Sequence, residues 1–456
     1  MPGAVLVRGQ RLTLLAQATL LAACACIAPV TVATVVDTGQ AQCCSAIVND
    51  LPPQTNYGAT MLRDGDPLGN WQQQMAVPDD PPASVEELLM LVDEVEAQGG
   101  PMNPELVQPL SGLAAAYIER NRTKEAIRAL RRGIHLARLN DGLHTPSQIA
   151  LLEQLIAAHV RAGQFALADK QESYLFRVRS YHEQHGTTEM LEATQRYAHW
   201  IRSAYLGDLD RQRFPRLVGL NDLYEGAIED LEQSHGEDSR ELLPYLKGRV
   251  ELSYLISVYP GEQESGFRGT ATEMGSFELA GDAQLRFWRM RDHNFRYGLQ
   301  ALQRQEKILA SDADSTPIER AAAHIATADW YQWHRRYASA IRHYEEAWAM
   351  LEGVENGEAW LQRTLADPLE LPRDTIFNPG VMPLGTANEA QISLRFDVSR
   401  HGEAKDIEIL SPATEETQPA ITRAYHYLRN VRFRPRLAEG SVVRAEDIQR
   451  NYQIRY

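Results

Sequence analysis

Ile392-Ser393-Leu394-Arg395-Phe396-Asp397-Val398-Ser399 alternates apolar and polar residues without a break, so a strand here buries one face and wets the other. His401-Gly402 supplies a turn, with glycine tolerating positive φ. A second short strand is expected at Asp406 to Leu410. Ile421, Ala424, Tyr425 and Leu428 then recur at helical spacing, and Val431-Arg432-Phe433-Arg434-Pro435 leaves that helix as extended chain. Ile448, Tyr452, Ile454 and Tyr456 share one parity in a final strand, expected from Glu446 to Arg455. From Asn388 to Tyr456 the order is strand, strand, helix, strand.

These residues resemble the C-terminal domain of TonB-type energy transducers. The resemblance rests on Ser393 to Ala404, on Ile407-Glu408-Ile409-Leu410-Ser411, and on the helix Ala420 to Asn430. Val431-Arg432-Phe433-Arg434-Pro435 followed by Gly440-Ser441-Val442-Val443 is its most specific part. It covers about a sixth of the chain. It implies a small α+β domain that binds an extended peptide by adding it as a strand, main-chain bonds giving affinity and side-chain pockets selection. The candidate edge is the final strand, whose Gln449, Asn451, Gln453 and Arg455 form a polar face. Arg432 and Arg434 are candidates to meet a partner's carboxylate; a solvent-facing stripe opposite Val431, Phe433 and Pro435 is the alternative.

The 456 residues are 44% hydrophobic and 23% charged, enough for a full core and two or three modules. A formal net charge of -15 excludes broad nucleic-acid binding, which needs clustered positive charge. Arg8 and Arg11 precede an uncharged stretch, Leu12 to Val36, the pattern of export. Three fates are open: cleavage after Ala23-Cys24-Ala25 or Gly39-Gln40-Ala41, lipidation of Cys24 in Leu21-Ala22-Ala23-Cys24, or retention as a membrane span. Each places the body outside the cytoplasm, in the periplasm. Cys24, Cys26, Cys43 and Cys44 are the four cysteines, so the folded body has no disulfide and no thiol nucleophile.

Helical pattern begins at Ser84, where Ser84 and Glu87 form a capping-box pair, and Thr145-Pro146-Ser147-Gln148 and Thr316-Pro317-Ile318-Glu319 are similar starts. Leu110, Leu113, Ala114, Tyr117, Ala126, Leu130 and Gly133 resemble the spacing of tetratricopeptide repeats. So do Leu152, Leu155, Gly163, Phe165 and Ala168, although Glu172 takes a usually apolar place. Ala328, Tyr331, Tyr337, Ala340, Tyr344 and Ala347 give a third pair. Residues 180–310 read as helical but irregular, with a Gly-rich loop from Gly261 to Gly281. The expected organisation is a signal peptide or anchor over 1–36, a flexible linker over 37–83, a tetratricopeptide-like array over 84–351, a Pro-containing linker over 352–385, and a TonB-like domain over 386–456. The fold class is therefore mainly α with a small C-terminal α+β domain, held at the end of a semi-rigid arm.

No phosphate loop or nucleophile elbow is present. His182-Glu183-Gln184-His185 spaces its histidines by three rather than four, and the favourable negative end of a helix explains them better than a metal does. No catalytic residue, cofactor or metal is expected. The leading function is a non-enzymatic envelope protein that binds a protein or peptide, such as an outer-membrane receptor, through its terminal sheet edge and repeat groove. The alternatives are a repeat scaffold whose terminal domain self-associates into a homodimer, and an enzyme with its site near Gly261 to Gly281.

Overall fold

The computed structural model describes residues 84–183, 186–206, 213–259, 274–371 and 389–455. Most of these are helical, and a small sheet closes the chain. Among the described residues eleven helices form the array: α1 (Val85–Gly99), α2 (Val107–Glu119), α3 (Thr123–Asp141), α4 (Ile149–Arg161), α5 (Phe165–His182), α6 (Thr188–Leu206), α7 (Arg213–His235), α8 (Leu243–Val258), α9 (Met274–Ser311), α10 (Pro317–Trp333) and α11 (Tyr337–Ala349). Residues 1–83, Cys24 among them, lie outside the described residues, as do His185 and most of the Gly261 loop.

Local chemistry explains the helix starts. At α1 the Glu87 amide donates to Ser84 Oγ at 3.0 Å while the Ser84 amide donates to the Glu87 carboxylate at 2.9 Å. Thr316 and Glu319 repeat that reciprocal pair at α10. Before α2, α4 and α8 a different device recurs. Gly100, Gly142 and Gly236 take positive φ, their carbonyls accept from Asn103, Thr145 and Ser239, and each of those residues caps a three-residue 3-10 turn. The first two copies stand 42 residues apart, 142 less 100.

The turns inside the helix pairs match as closely. Asn121, Gly163 and Arg335 take positive φ, and the next residue's amide reaches back to Tyr117, His159 and Tyr331 at 2.8 Å each. The same turn thus recurs in the pairs α2–α3, α4–α5 and α10–α11. Between them α6–α7 and α8–α9 continue the stacking through residues that read as irregular, in a core built around Tyr205, Leu217, Leu246, Tyr254 and Trp330. Met274 already starts α9, so the expected loop to Gly281 ends early. Glu172 is 1% exposed on α5, where Arg196 Nη2 meets its carboxylate at 3.1 Å. Burial nonetheless pushes that carboxyl above its ordinary range. The polar misfit in the second pair is an ion pair between neighbouring pairs.

The terminal sheet is three-stranded. β2 (Glu389–Val398) lies between β3 (Ala404–Ile409) and β7 (Ala445–Arg455), both antiparallel to it. α13 (Gln418–Asn430) covers the buried face, packing Ile421, Ala424 and Leu428 against Ile392, Leu394, Phe396 and Val398. Short strands β4 (Phe433–Arg434), β5 (Arg436–Ala438) and β6 (Ser441–Val443) follow the helix, the last two as a hairpin.

The expected linker over 352–385 needs correction. Its first part is folded: α12 (Gly357–Leu365) buries Trp360, Leu361 and Leu365 in the cluster that holds Tyr344 and Leu437, and β1 (Leu369–Glu370) pairs with β4. Pro368 does not break this structure, because it stands after the helix has ended, where the residue before a proline favours extended backbone. The terminal module therefore does not hang from an arm; it docks on α10 and α11. Residues 372–388 lie outside the described residues.

Candidate partner-binding edge and its joint

β7 sits at the edge of the sheet, and among the described residues no strand pairs with its outer side. Its ladder with β2 runs unbroken from Phe396↔Ile448 to Glu389↔Arg455. The opposite edge differs. β3 has six residues, Asp406 bulges it at φ 51°, and Lys405 pairs with Glu403 at 3.0 Å. Short, bulged, charged edges resist further pairing, whereas a long regular run such as Ile448 to Arg455, beyond β7's own bulge at Asp447, invites it.

The structure divides the sequence-derived candidates. Gln449 is exposed opposite Arg395. Asn451 is half-buried, and its Oδ1 accepts from Ser393 Oγ at 2.6 Å, so its side chain serves the β2–β7 pair. Gln453 and Arg455 lie in register with Gln391 and Glu389. Arg432 is half-buried and donates to the Val431 carbonyl at 3.4 Å.

Arg434 is a correction to both readings made of it: it neither meets a partner nor faces solvent. It is 1% exposed and forms a bidentate pair with Asp329 on α10, Nε to Oδ1 at 3.0 Å and Nη2 to Oδ2 at 2.7 Å. Its Nη1 donates to the Thr364 carbonyl at 3.1 Å, and Tyr344 Oη donates to Asp329 at 2.7 Å. Burial opposes the charge on Arg434, but Asp329 outweighs it and holds the guanidinium above its ordinary range. The alternation across β4 fails because the strand is covered on both sides, by α13 and the sheet at Phe433 and by α10 at Arg434.

More contacts hold the joint. Gln332 Nε2 donates to the carbonyls of His401, at 2.5 Å, and Phe433, at 3.2 Å. Tyr337 stacks on His401 with ring centroids 4.6 Å apart. Glu370 is fully buried behind β7 and accepts from Tyr427 Oη at 2.6 Å and Tyr452 Oη at 2.7 Å. At the β7 bulge, Asp397 accepts from the Asp447 amide at 2.9 Å and pairs with Arg444, and these two partners hold its carboxyl below the usual range. Asp329 and Glu370 carry the one sequence signal that marks them, an acid in an otherwise apolar helical or strand position.

An open recess of about 490 Å³ is lined by Glu232, Glu237, Asp238, Gln303, Arg304 and Lys307. Its cations are engaged: Arg304 pairs with Glu232, and Lys307 reaches Asp238 at 2.8 Å. His182 bonds to the His144 carbonyl rather than pointing into a ligand set. One group of metal-competent side chains does converge, Glu306, His324 and His343. Among the described residues, no helix is long and apolar enough to cross a membrane.

No protein-family profile matches the chain, and no curated protein matches it. Among solved structures it is similar to a Q17M variant of kinesin light chain nearly identical TPR-like repeats from Podosopora anserina. That match has 17% identity, covers 57% of this chain and 97% of the other, and has a TM-score of 0.30. It is also similar to BtubC (BKLC) from P. vanneervenii, at 13% identity over 65% of this chain and 91% of that one, with a TM-score of 0.28.

Proposed function

We propose that this chain is a non-enzymatic protein-binding scaffold of the cell envelope that takes up an extended segment of a partner along the outer side of β7. The observation that carries the reading is the eight-residue run Ile448 to Arg455, regular in its ladder with β2 and paired on that side alone among the described residues. Strand addition there supplies main-chain hydrogen bonds, while Gln449 and its neighbours on the polar face bias selection. The resemblance to TonB-type terminal domains agrees with this mode and with an outer-membrane partner. The N-terminal basic and apolar segment supports export. The helix pairs act as the body on which the edge is mounted and as a second binding surface, as in other stacked helical repeats.

Proline substitution tests the reading, since proline removes one main-chain donor. In the full exported chain, prolines are placed singly at 449 to 453 and capture is scored by photo-crosslinking to envelope proteins. In an antiparallel edge strand, alternate amides point inward and outward. One parity is therefore expected to weaken the sheet, and the other to leave the fold intact while abolishing capture. Capture that survives every folded proline variant rejects strand addition at β7. Capture that survives there but fails on substitution of the array's surface favours the scaffold reading.

A further inference from the structure

Glu306 on α9, His324 on α10 and His343 on α11 bring three donor groups from three successive helices together, with Glu346 of α11 beside both histidines. His343 Nδ1 lies 3.9 Å from Glu306 Oε1 and 3.7 Å from Glu346 Oε2, and His324 Nδ1 lies 3.7 Å from the same Glu346 oxygen. The ligand atoms of Glu306, His324 and His343 all fall within 4.8 Å of one another. These separations are too long for hydrogen bonds, and Glu306 Oε1, His324 Nδ1 and His343 Nδ1 are buried atoms with no hydrogen-bond partner.

Three unsatisfied buried atoms converging from three helices are costly by themselves, because a buried polar atom without a partner forfeits its hydration. Metal ligation accounts for the spacing. Around a tetrahedral centre with bonds of about 2.0–2.1 Å, ligand atoms stand roughly 3.3–3.4 Å apart. The His324–Glu346, His343–Glu306 and His343–Glu346 pairs exceed that by about 0.3–0.6 Å, and the Glu306–His324–His343 set, within 4.8 Å, closes to it by side-chain rotation. Glu306, His324 and His343 are screened from solvent, at 17%, 22% and 13% exposure, while Glu346, at 45%, stands on the solvent side of the group. Tyr331 stacks on the His343 ring, centroids 5.4 Å apart, and fixes its orientation. Glu346 has in addition a long contact to the exposed Arg342 at 3.8 Å, leaving its second oxygen, Oε2, toward the histidines.

We infer that Glu306, His324, His343 and Glu346 form a binding site for one divalent transition-metal ion, with Zn²⁺ the best fit. Two imidazoles and two carboxylates are ligands of borderline character that suit zinc, and the two negative charges balance the ion's. Four protein ligands leave no open position, so the ion is structural rather than catalytic: it ties α9, α10 and α11 together. Alkaline-earth ions fit poorly, since they prefer all-oxygen shells.

The test is metal uptake by the full folded chain. After equilibration with Zn²⁺ and dialysis against metal-free buffer, elemental analysis is expected to find one equivalent per chain, and isothermal titration a single site. His324→Ala and His343→Ala are each expected to weaken binding by more than about 100-fold, beyond what loss of an outer-shell partner costs. Gel filtration and circular dichroism check their folding. Should both variants fail to fold, Co²⁺ in the unaltered protein decides, because a four-coordinate nitrogen–oxygen site gives intense visible d–d bands and a six-coordinate aquo ion does not. Less than one equivalent of zinc, equal retention by folded variants, or an aquo-type cobalt spectrum overturns the assignment.

Discussion

Replacing Asp329 by alanine should disable the joint between the array and the terminal sheet. Asp329 and Arg434 are 2% and 1% exposed, so the substitution strands a guanidinium charge where water cannot reach it. Arg434 loses both bonds to the carboxylate and keeps only the Thr364 carbonyl, and Tyr344 Oη loses its acceptor. Breaking one partner from a buried ion pair costs about 3–5 kcal/mol, against a typical domain stability of about 5–15 kcal/mol. The loss is expected in urea unfolding followed by tryptophan fluorescence, since Trp330 and Trp360 lie buried close to the joint. The double variant Asp329→Leu with Arg434→Met discriminates the cause. Apolar residues of similar volume need no compensating charge, so it should be more stable than Asp329→Ala and comparable to the unaltered protein. A single variant within about 1 kcal/mol of the unaltered protein refutes the reasoning, as does a double variant no better than the sum of its parts.

Acid should weaken the body before it reaches the carboxylates. Burial first, and then Arg336, hold His334 at about 4 against an ordinary 6.5, and burial and Arg202 do the same to His199. The unfolded chain takes up these protons near pH 6.5 while the native chain refuses them until about 4. Their stabilisation is therefore complete above 6.5 and is lost as pH falls from 6.5 to 4, by about 3 kcal/mol per group. His334→Gln should flatten the urea midpoint in that window, and an unchanged slope counts against the assignment. Gly402→Ala should loosen the joint, because at φ +66° the new Cβ meets the Phe433 carbonyl and the Gln332 amide. The strained backbone alone costs about 1–3 kcal/mol, and faster hydrogen exchange at the Phe433 amide, which bonds to the Gly402 carbonyl at 2.9 Å, is the readout; unchanged exchange refutes it.

How much of this was legible depended on whether the deciding interaction was local. Helix caps at Ser84 and Thr316 and the alternation of Ile392 to Val398 are set by neighbours in sequence, and they appear where the residues place them. The helix pairs between residues 188 and 311 lack the small-residue spacing of their neighbours. Their cores instead use large side chains such as Tyr205, Tyr254 and Phe287, so the repeat was hidden by a change of packing size. Residues 352–371 looked like a linker because proline spacing is visible and burial is not: Trp360 and Leu365 are held by Tyr344 and Leu437, the latter more than seventy residues away. Arg434 misled for the same reason. An arginine alternating with Phe433 reads as solvent-facing until an acid 105 positions earlier is brought against it. The Glu306, His324 and His343 group is equally invisible to spacing, since each helix contributes ligands singly or, on α11, three apart.

The docked joint changes what the β7 edge can do. A sheet on a flexible arm meets a partner at every orientation, and a second contact by the helices then gains only the effective concentration that the tether sets. Here Arg434, Gln332, Gly402 and the β5–β6 hairpin fix the terminal module to α10 and α11, so β7 and the last helix pair form one body with one geometry. Under the proposed strand addition, a partner on β7 meets those helices in a defined register, and the entropy of choosing it has already been lost in folding. The same rigidity explains why the buried charges are tolerated. An apolar joint could slide, whereas a bidentate pair enclosed by Tyr344 and Thr364 is satisfied in one arrangement only.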